Sequence, residues 1–272
     1  MSTWRELEQE LEAWARSGRR ATFWWRDDDA VEPSPALDRL LELAASGRAP
    51  LALAVIPARA SSGLAARLAG AGEQVAVLQH GFDHANHAPE GEKRAELNEQ
   101  RPRAVLREEL ARGRAILATL FGERALPVLV PPWNRMDQDL IPELPGLGFR
   151  GLSTHTPRAT ANPASGLIQC NTHVDVLRWK PECGFLGEGA ALGLLIRHLS
   201  ARRCPDEGHV PAGDASLDPD EPTGLLTHHL AMDEPAWDFM ARLLESLARQ
   251  PAVRWVSATE AFGATAGPGG HS

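Results

Sequence analysis

The segment ATFWWRDDDA, residues 21–30, changes within a few positions from apolar side chains to three consecutive aspartates. Its first half, Ala21 to Trp25, has the length and the aromatic content of a short buried β-strand. Arg26 and the acids at residues 27–29 follow without a gap. We therefore predict a strand whose carboxyl end places charged groups beside a hydrophobic core.

The same succession of an apolar strand, a polar strand end and an amphipathic helix recurs along the chain. Strands are predicted at Ala21–Trp25, Leu51–Ile56, Val75–Gln79, Leu126–Val130, Gly148–Ser153, His173–Leu177, Gly224–Thr227 and Val253–Ser257. Helices are predicted at Thr3–Ser17, Ser34–Gly47, Ser62–Ala69, Arg103–Phe121, Leu192–Ala201 and Pro235–Arg249. Short apolar strands that alternate with helices are typical of a parallel sheet covered by helices. About seven such units favour a TIM-barrel-like α/β barrel over an open sheet.

Composition limits the classes of function that the chain can have. Its 272 residues, 43% of them hydrophobic, carry a formal net charge of −8, which argues against a nucleic-acid partner. The 3 cysteines include no CxxC pair, so neither a disulfide framework nor a cysteine zinc site is expected. The charged N-terminus lacks the apolar core of a signal peptide, and no stretch has the length of a membrane span. We therefore expect no membrane partner and a cytoplasmic location.

One barrel is predicted to occupy most of the chain. Residues 1–20 are expected to form an N-terminal helix, residues 21–262 the barrel, and residues 263–272 a disordered tail. The Asp-, Gly- and Pro-rich run from Pro205 to Pro222 is predicted to be a long loop.

Candidate functional residues follow the ends of four predicted strands, at residues 27–29, 80–84 and 131–133 and at His228. In a parallel barrel the carboxyl ends of all strands share one rim, which is where active sites form. Residues that are distant in sequence are therefore expected to converge on a single pocket.

Three histidines lie close together after the third strand, two in the stretch HGFDH at residues 80–84 and one at His87. If a helical turn begins at His80, His84 lies on the same face, and two imidazoles at that spacing can reach one metal ion. His87 would continue this face. A solvated or capped histidine cluster is the alternative, because an isolated HxxxH pair is common.

The three aspartates after Trp25 repel one another, and burying them without a cation is costly. One carboxylate would complete a site of two histidines and one carboxylate, which suits hydrolysis by metal-activated water. A neighbouring carboxylate could act as the general base. The alternative is a solvated loop that caps the following helix, to which Asp29 and Ser34 could contribute.

His228 stands at a further predicted strand end, where a histidine could protonate a leaving amine. A histidine that is hydrogen-bonded within the rim and has no catalytic role is an equal alternative. His229 competes for the same role, because adjacent residues on a strand point to opposite faces.

Taken in order, these segments resemble the polysaccharide deacetylase family, carbohydrate esterase family 4, also called the chitooligosaccharide deacetylase-like homology domain. The resemblance covers about residues 21–262 and implies a distorted (β/α) barrel of about seven strands. It implies that Asp28 is the general base. It also implies that Asp29, His80 and His84 bind a divalent metal ion, for which Zn²⁺ is the first expectation.

The third motif of that family is matched only in part. Pro132 and Trp133 correspond to a proline and an aromatic residue that wall the substrate groove. Val130 stands where the family has an arginine that orients the base. We expect Arg26 or Arg135 to replace that arginine.

The family's first motif ends in two acids, a general base followed by a metal ligand, which the resemblance assigns to Asp28 and Asp29. A shift by one residue would assign these two roles to Asp27 and Asp28. The fourth motif is matched weakly by Asp175 and Trp179. The fifth motif is matched more fully by Leu226 and His228. The resemblance makes His228 the general acid.

The resemblance implies a hydrolase that removes acetyl groups from an N-acetylated sugar or oligosaccharide, using metal-activated water, an Asp base and a His acid. One alternative keeps the barrel and the metal but acts on another small C–N or amide substrate, which suits a cytoplasmic location. Another is a catalytically silent carbohydrate-binding barrel in which Trp133 is a stacking platform. The missing family arginine favours this last alternative.

Overall fold

In the computed structural model, which describes residues 2–205 and 217–263, helices and strands alternate along the chain. The helices are α1 Trp4–Arg16, α2 Pro35–Ser46, α3 Ser62–Ala69, α4 Arg103–Phe121, α5 Glu188–Arg203, α6 Glu234–Ala248 and α7 Ala258–Ala261. None of these described helices combines the length and the apolar content needed to cross a membrane. Residues 206–216 of the predicted loop and 264–272 of the predicted tail lie outside the described residues.

Parallel strands form one curved sheet, with the order β6-β5-β4-β3-β2-β1-β10-β7 and with β11 paired to the start of β1. The strands are β1 Ala21–Ala30, β2 Leu51–Val55, β3 Val75–His80, β4 Ala125–Val130, β5 Gly151–Leu152, β6 Ile168–Gln169, β7 Val174–Asp175, β8 Leu177–Arg178, β9 Gly184–Phe185, β10 Thr223–Thr227 and β11 Val253–Trp255. Strands β8 and β9 form a separate antiparallel hairpin.

The strands at the two ends of this sheet order, β6 and β7, belong to one continuous segment, residues 168–176. On one side the amide of Cys170 donates to the carbonyl of Leu152, at 3.1 Å. On the other side the amide of His173 donates to the carbonyl of Gly224, at 2.8 Å. This segment therefore joins β5 to β10, and the predicted distorted (β/α) barrel of about seven strands is confirmed.

Side chains of β1 alternate between two hydrophobic layers. Phe23 and Trp25 pack between the sheet and the helices, whereas Trp24 packs in the barrel interior with Phe262. The rings of Trp24 and Phe262 meet edge to face, with centroids 5.7 Å apart. An apolar plug, whose truncation at Trp24 would cost about 3–5 kcal/mol, thus lies below the charged residues of β1.

Two local predictions are wrong in ways that affect the site. Strand β1 does not end at Trp25 but continues through the acids to Ala30. No helical turn follows His80, because the next residue, Gly81, has φ of 56° and His84 has φ of 60°. The HxxxH spacing therefore acts through an irregular loop, and not through one face of a helix.

Candidate metal centre and active site

Asp29, His80 and His84, which we call the metal trio, converge at the carboxyl ends of β1 and β3. Oδ1 of Asp29 lies 3.2 Å from Nε2 of His80 and 3.4 Å from Nε2 of His84. This oxygen is buried and has no hydrogen-bond partner among the described residues. Ligands in a tetrahedral zinc site, at about 2.1 Å from the ion, lie about 3.4 Å from one another. The metal trio therefore fits a divalent cation of this size.

The orientation of His80 is fixed by the main chain of β4. Its Nδ1 donates to the carbonyl of Val130, at 3.0 Å, which leaves the lone pair on Nε2, the atom that faces Asp29. His84 is packed against Trp133, with ring centroids 4.4 Å apart and an interplanar angle of 55°. Both imidazoles are thus held in place before a metal ion binds.

The charges of the metal trio are mutually stabilising. Burial alone raises the pKa of Asp29, but the positive charge of a nearby protonated His80 would lower it overall. Burial alone lowers the pKa of His80, but the carboxylates of Asp28 and Asp29 raise it overall. The pKa of His84 is lowered by burial and by the charge of His80. An ionised carboxylate beside two imidazoles is the donor set that a divalent cation requires.

Asp28 and Asp29 both face the site although they are consecutive in β1. On a regular strand their side chains would point to opposite faces. Here Asp29 has φ of 73°, and the pairing of β1 with β2 shifts in register between Asp27 and Ala30. This β-bulge turns the ligand carboxylate toward the rim while Asp28 keeps its inward orientation.

The loop that carries His84 is anchored by Glu96, which the sequence did not identify. Its carboxylate accepts from the amides of Phe82, at 3.1 Å, and Asp83, at 2.9 Å. A Cβ on Gly81 would lie 1.9 Å from Oε2 of Glu96, so this position requires glycine. Burial raises the pKa of Glu96 to about 7.

The Asp28 carboxylate is held by a two-point contact with Arg26. The Arg26 Nε lies 2.8 Å from Asp28 Oδ1, and its Nη2 lies 3.0 Å from Oδ2, with both side chains buried. Further donation to Ser153 Oγ and Asn134 Oδ1, at 2.7 Å each, fixes the guanidinium. Arg135 is exposed and donates to a backbone carbonyl. Of the two arginines predicted to replace the one missing at the Val130 position, Arg26 therefore contacts the acid.

Asp27 lies on the opposite face of β1 in a separate buried pair. Its Oδ1 is 2.5 Å from Nδ1 of His229. Its Oδ2 accepts from Thr227 Oγ1, at 2.6 Å, and from the amide of His229, at 2.9 Å. These contacts occupy the carboxylate of Asp27 and Nδ1 of His229. The geometry therefore favours the register in which Asp28 and Asp29, rather than Asp27 and Asp28, lie at the site. They also separate His229 from the pocket.

His228 approaches the same carboxylate that Arg26 holds. Its Nε2 is 4.0 Å from Oδ2 of Asp28, and its buried Nδ1 has no hydrogen-bond partner among the described residues. The ring of Trp179 meets it edge to face at 4.6 Å, and Trp179 Nε1 donates to Asp175 Oδ2, at 2.7 Å. Trp179 is 47% exposed, so it forms one aromatic wall of the site, while Trp133 forms another beside His84.

His87 does not join the metal trio. It is exposed, and its amide donates to the carbonyl of Ala95, at 3.0 Å. The loop geometry after His80 turns this residue away from the face that a helix would have given it.

His173, His198 and Glu221 form a second cluster, which we call the buried trio. Nε2 of His173 lies 3.2 Å from Oε2 of Glu221, and the two imidazoles stack at 3.6 Å. The amide of Gly224 donates to Nδ1 of His173, at 2.9 Å. Since a neutral imidazole has one acceptor nitrogen, the proton of His173 lies on Nε2 and faces Glu221. With its proton on Nε2, His173 offers no lone pair there to a metal ion, although this atom makes no hydrogen bond among the described residues.

Solved structures with the same fold come from carbohydrate-active enzymes. A Mycobacterium smegmatis protein described as a polysaccharide deacetylase has a TM-score of 0.60 at 16% identity, over 88% of this chain and 87% of that one. The Bc1960 peptidoglycan N-acetylglucosamine deacetylase gives 0.53 at 13% identity, over 94% and 98%. A family 4 carbohydrate esterase from Streptomyces lividans, in complex with acetate, gives 0.52 at 15% identity, over 86% and 90%.

At these low identities the likeness establishes the fold, which is the one that the sequence resemblance predicted. No protein-family model and no curated protein sequence matches the chain. The roles of individual residues therefore depend on the geometry described above.

Proposed function

We propose that the protein is a metal-dependent hydrolase that removes an acetyl group from an N-acetylated sugar or oligosaccharide. The observation that carries this proposal is the position of Asp28, which is fixed by Arg26, lies 4.0 Å from His228 and precedes Asp29 of the metal trio in β1. Deacetylases and an acetate-bound esterase among the solved structures with this fold add support. The proposed cytoplasmic location and the absence of a nucleic-acid partner stay predictions from the sequence.

The metal trio would hold the ion, for which we propose Zn²⁺. When bound, such an ion supplies Lewis acidity, which polarises a carbonyl group and lowers the pKa of water. Asp28 accepts the proton of the attacking water, and Arg26 keeps its carboxylate in one orientation throughout. Asp28 is therefore the general base of the proposed reaction.

His228 donates a proton to the nitrogen as the C–N bond of the acetamide breaks, so that acetate and a free amine leave. Its Nε2 lies 4.0 Å from Asp28 Oδ2, the oxygen that also accepts from Arg26 Nη2. Trp133 and Trp179 provide apolar faces on which a sugar ring can pack. The contact between Arg26 and Asp28 also removes the main argument for a catalytically silent binding barrel, which was the missing family arginine.

The proposal is tested by measuring acetate release from N-acetylglucosamine oligomers, alongside ammonia or amine release from small cyclic and linear amides. We expect turnover with the sugars, its loss in Asp28→Asn, and an unchanged metal content in that variant. Asp139→Asn, at an exposed carboxylate away from the site, is the matched control. Turnover of small amides alone would replace the sugar by another C–N substrate, and loss of metal in Asp28→Asn would make Asp28 a ligand.

A further inference from the structure

A pocket of about 650 Å³ opens beside the Arg26–Asp28 pair, between the loops that follow β4 and β5. This volume lies within the range of small-ligand sites. Two residues of its wall are bonded to the guanidinium of Arg26: Asn134 through Oδ1, at 2.7 Å, and Thr154 through its carbonyl, at 3.2 Å. The pocket therefore adjoins the guanidinium that holds Asp28.

His155 presents a hydrogen-bond acceptor to this pocket. Its Nδ1 lies 3.1 Å from Oγ1 of Thr172, whose own hydrogen is directed to the carbonyl of Thr154, at 3.3 Å. Thr172 therefore accepts from Nδ1–H, and the lone pair of the ring lies on Nε2. Burial and the charge of Arg26 lower the pKa of His155 to about 4, so the ring stays neutral near pH 7. No described residue bonds to this Nε2.

Asn134 presents the complementary donor. Arg26 can only donate, so the Asn134 atom that it contacts is the carbonyl oxygen, and the amide nitrogen Nδ2 of this pocket-lining residue is not used by Arg26. Nδ2 has no hydrogen-bond partner in the described part of the chain. The residue has φ of 55°, a left-handed conformation that asparagine tolerates better than most residues. One wall thus offers a fixed donor and a fixed acceptor.

We propose that this pocket is a sugar subsite that recognises hydroxyl groups of the substrate through Asn134 Nδ2 and His155 Nε2. A hydroxyl group both donates and accepts hydrogen bonds, and so it matches this pair. The inference rests on the proposed deacetylation, and it names Asn134 and His155 as residues that determine specificity. Neither is assigned a part in the bond-breaking step.

The test measures binding of the N-acetylglucosamine tetramer to zinc-loaded protein by calorimetry, together with kcat and KM for acetate release. His155→Leu is expected to raise both Kd and KM about fivefold, the value of one neutral hydrogen bond, with kcat unchanged within about twofold. Asn134→Asp keeps the oxygen that contacts Arg26 but removes the donor, so a similar rise in Kd is expected; kcat is compared only for His155→Leu, because Asn134 also contacts Arg26. His155→Gln, which places an amide oxygen near the Nε2 position, should restore most of the affinity.

Ile141→Val, a pocket residue without a polar side chain, is the matched control and should bind the tetramer like the wild type. Unchanged Kd and KM in both test variants would overturn the subsite, as would failure of the wild type to bind the tetramer. A fall in kcat at constant KM in His155→Leu would also contradict it. Binding that depends on His155 without any acetate release would contradict the proposed deacetylation alone.

Discussion

The metal trio and the buried trio both contain two histidines and one carboxylate, and each brings its ligand-type atoms within 4.8 Å of one another. They differ in the partner of one imidazole nitrogen. In the metal trio, Nδ1 of His80 donates to a main-chain carbonyl, so Nε2 can bind a cation. In the buried trio, Nδ1 of His173 accepts from a main-chain amide, so Nε2 carries the proton.

Residue composition and proximity therefore do not by themselves make a metal site. The main-chain group that contacts Nδ1 decides which ring nitrogen holds the lone pair. It thereby decides whether Nε2 can bind a metal ion or carries a proton. Access differs as well. Asp29 and His84 are partly exposed at the rim, whereas all three members of the buried trio are enclosed.

The largest expected effect concerns metal content. His80→Ala should lose nearly all bound zinc and all acetate release, because it removes one ligand of three. His198→Ala, which removes a histidine of the buried trio, should keep stoichiometric zinc. Elemental analysis of both purified variants beside the wild type measures this difference. Loss of metal from His198→Ala alone would reverse the assignment of the two trios, and no metal in the wild type would refute both.

The next largest effect concerns stability. Glu221 accepts from the amides of Asn171 and Arg158, at 2.8 and 2.9 Å, and faces the protonated Nε2 of His173. Glu221→Ala leaves these buried donors unpaired, so the free energy of unfolding should fall by about 3–5 kcal/mol. Urea unfolding monitored by circular dichroism measures it, with the exposed Glu92→Ala as control. A fall below about 1 kcal/mol would show that the buried trio is not a structural hydrogen-bonded unit.

A buried arginine lies beside each trio, and replacing each of them by lysine should have different effects on kcat and on stability. Arg26→Lys breaks the two-point contact with Asp28, and kcat should fall about 100-fold, since small displacements of catalytic groups have effects of this size. Zinc content should not change. Arg202→Lys, beside the buried trio, loses bonds to Thr22 and Thr223 and should lower stability with kcat nearly unchanged. Equal kcat values for the two variants would show that Arg26 does not position the base.

The smallest expected effect is the loss of stability at low pH. Burial lowers the pKa of His173 and His198 well below 6.5, so both stay neutral in the folded chain while the unfolded chain binds protons. Stability therefore falls as the pH drops below about 6.5, by about 2 kcal/mol per histidine between pH 7 and pH 5. Urea unfolding in EDTA, which excludes metal release, should show a weaker pH dependence in His198→Gln. An unchanged pH dependence would indicate that His198 is protonated in the folded protein.

Much of the barrel was predictable because its signals are local. The apolar strands and the helix at Arg103–Phe121 follow from periodicity over a few residues, and parallel strands bring their carboxyl ends to one rim. His80, His84 and the run of aspartates could be proposed for this reason, whereas the separate roles of Asp28 and Asp29 came from the family resemblance. Arg26 was one of two candidates for the missing arginine, and only the structure distinguishes it from Arg135.

The rest depends on contacts between distant segments. The bulge at Asp29 results from a register shift against β2, and no residue type in the run of aspartates marks it. Glu96 reaches the histidine loop from a separate part of the chain, with no motif around it. Neither the pairing of His173 with Glu221 nor the neutral His155 has a sequence signature, because both arise from burial against segments far along the chain.

Strand β1 carries the interior plug, the arginine, the base and one metal ligand at Trp24, Arg26, Asp28 and Asp29. Genetically, most of the proposed chemistry is concentrated in a few adjacent codons. An in-frame loss of one codon before Trp24 would exchange inward and outward side chains along the strand, burying the wrong set. Changes in chain length should therefore be tolerated in the loops of the rim and not within β1, so loop length is the property that can vary while the residues of β1 keep their positions.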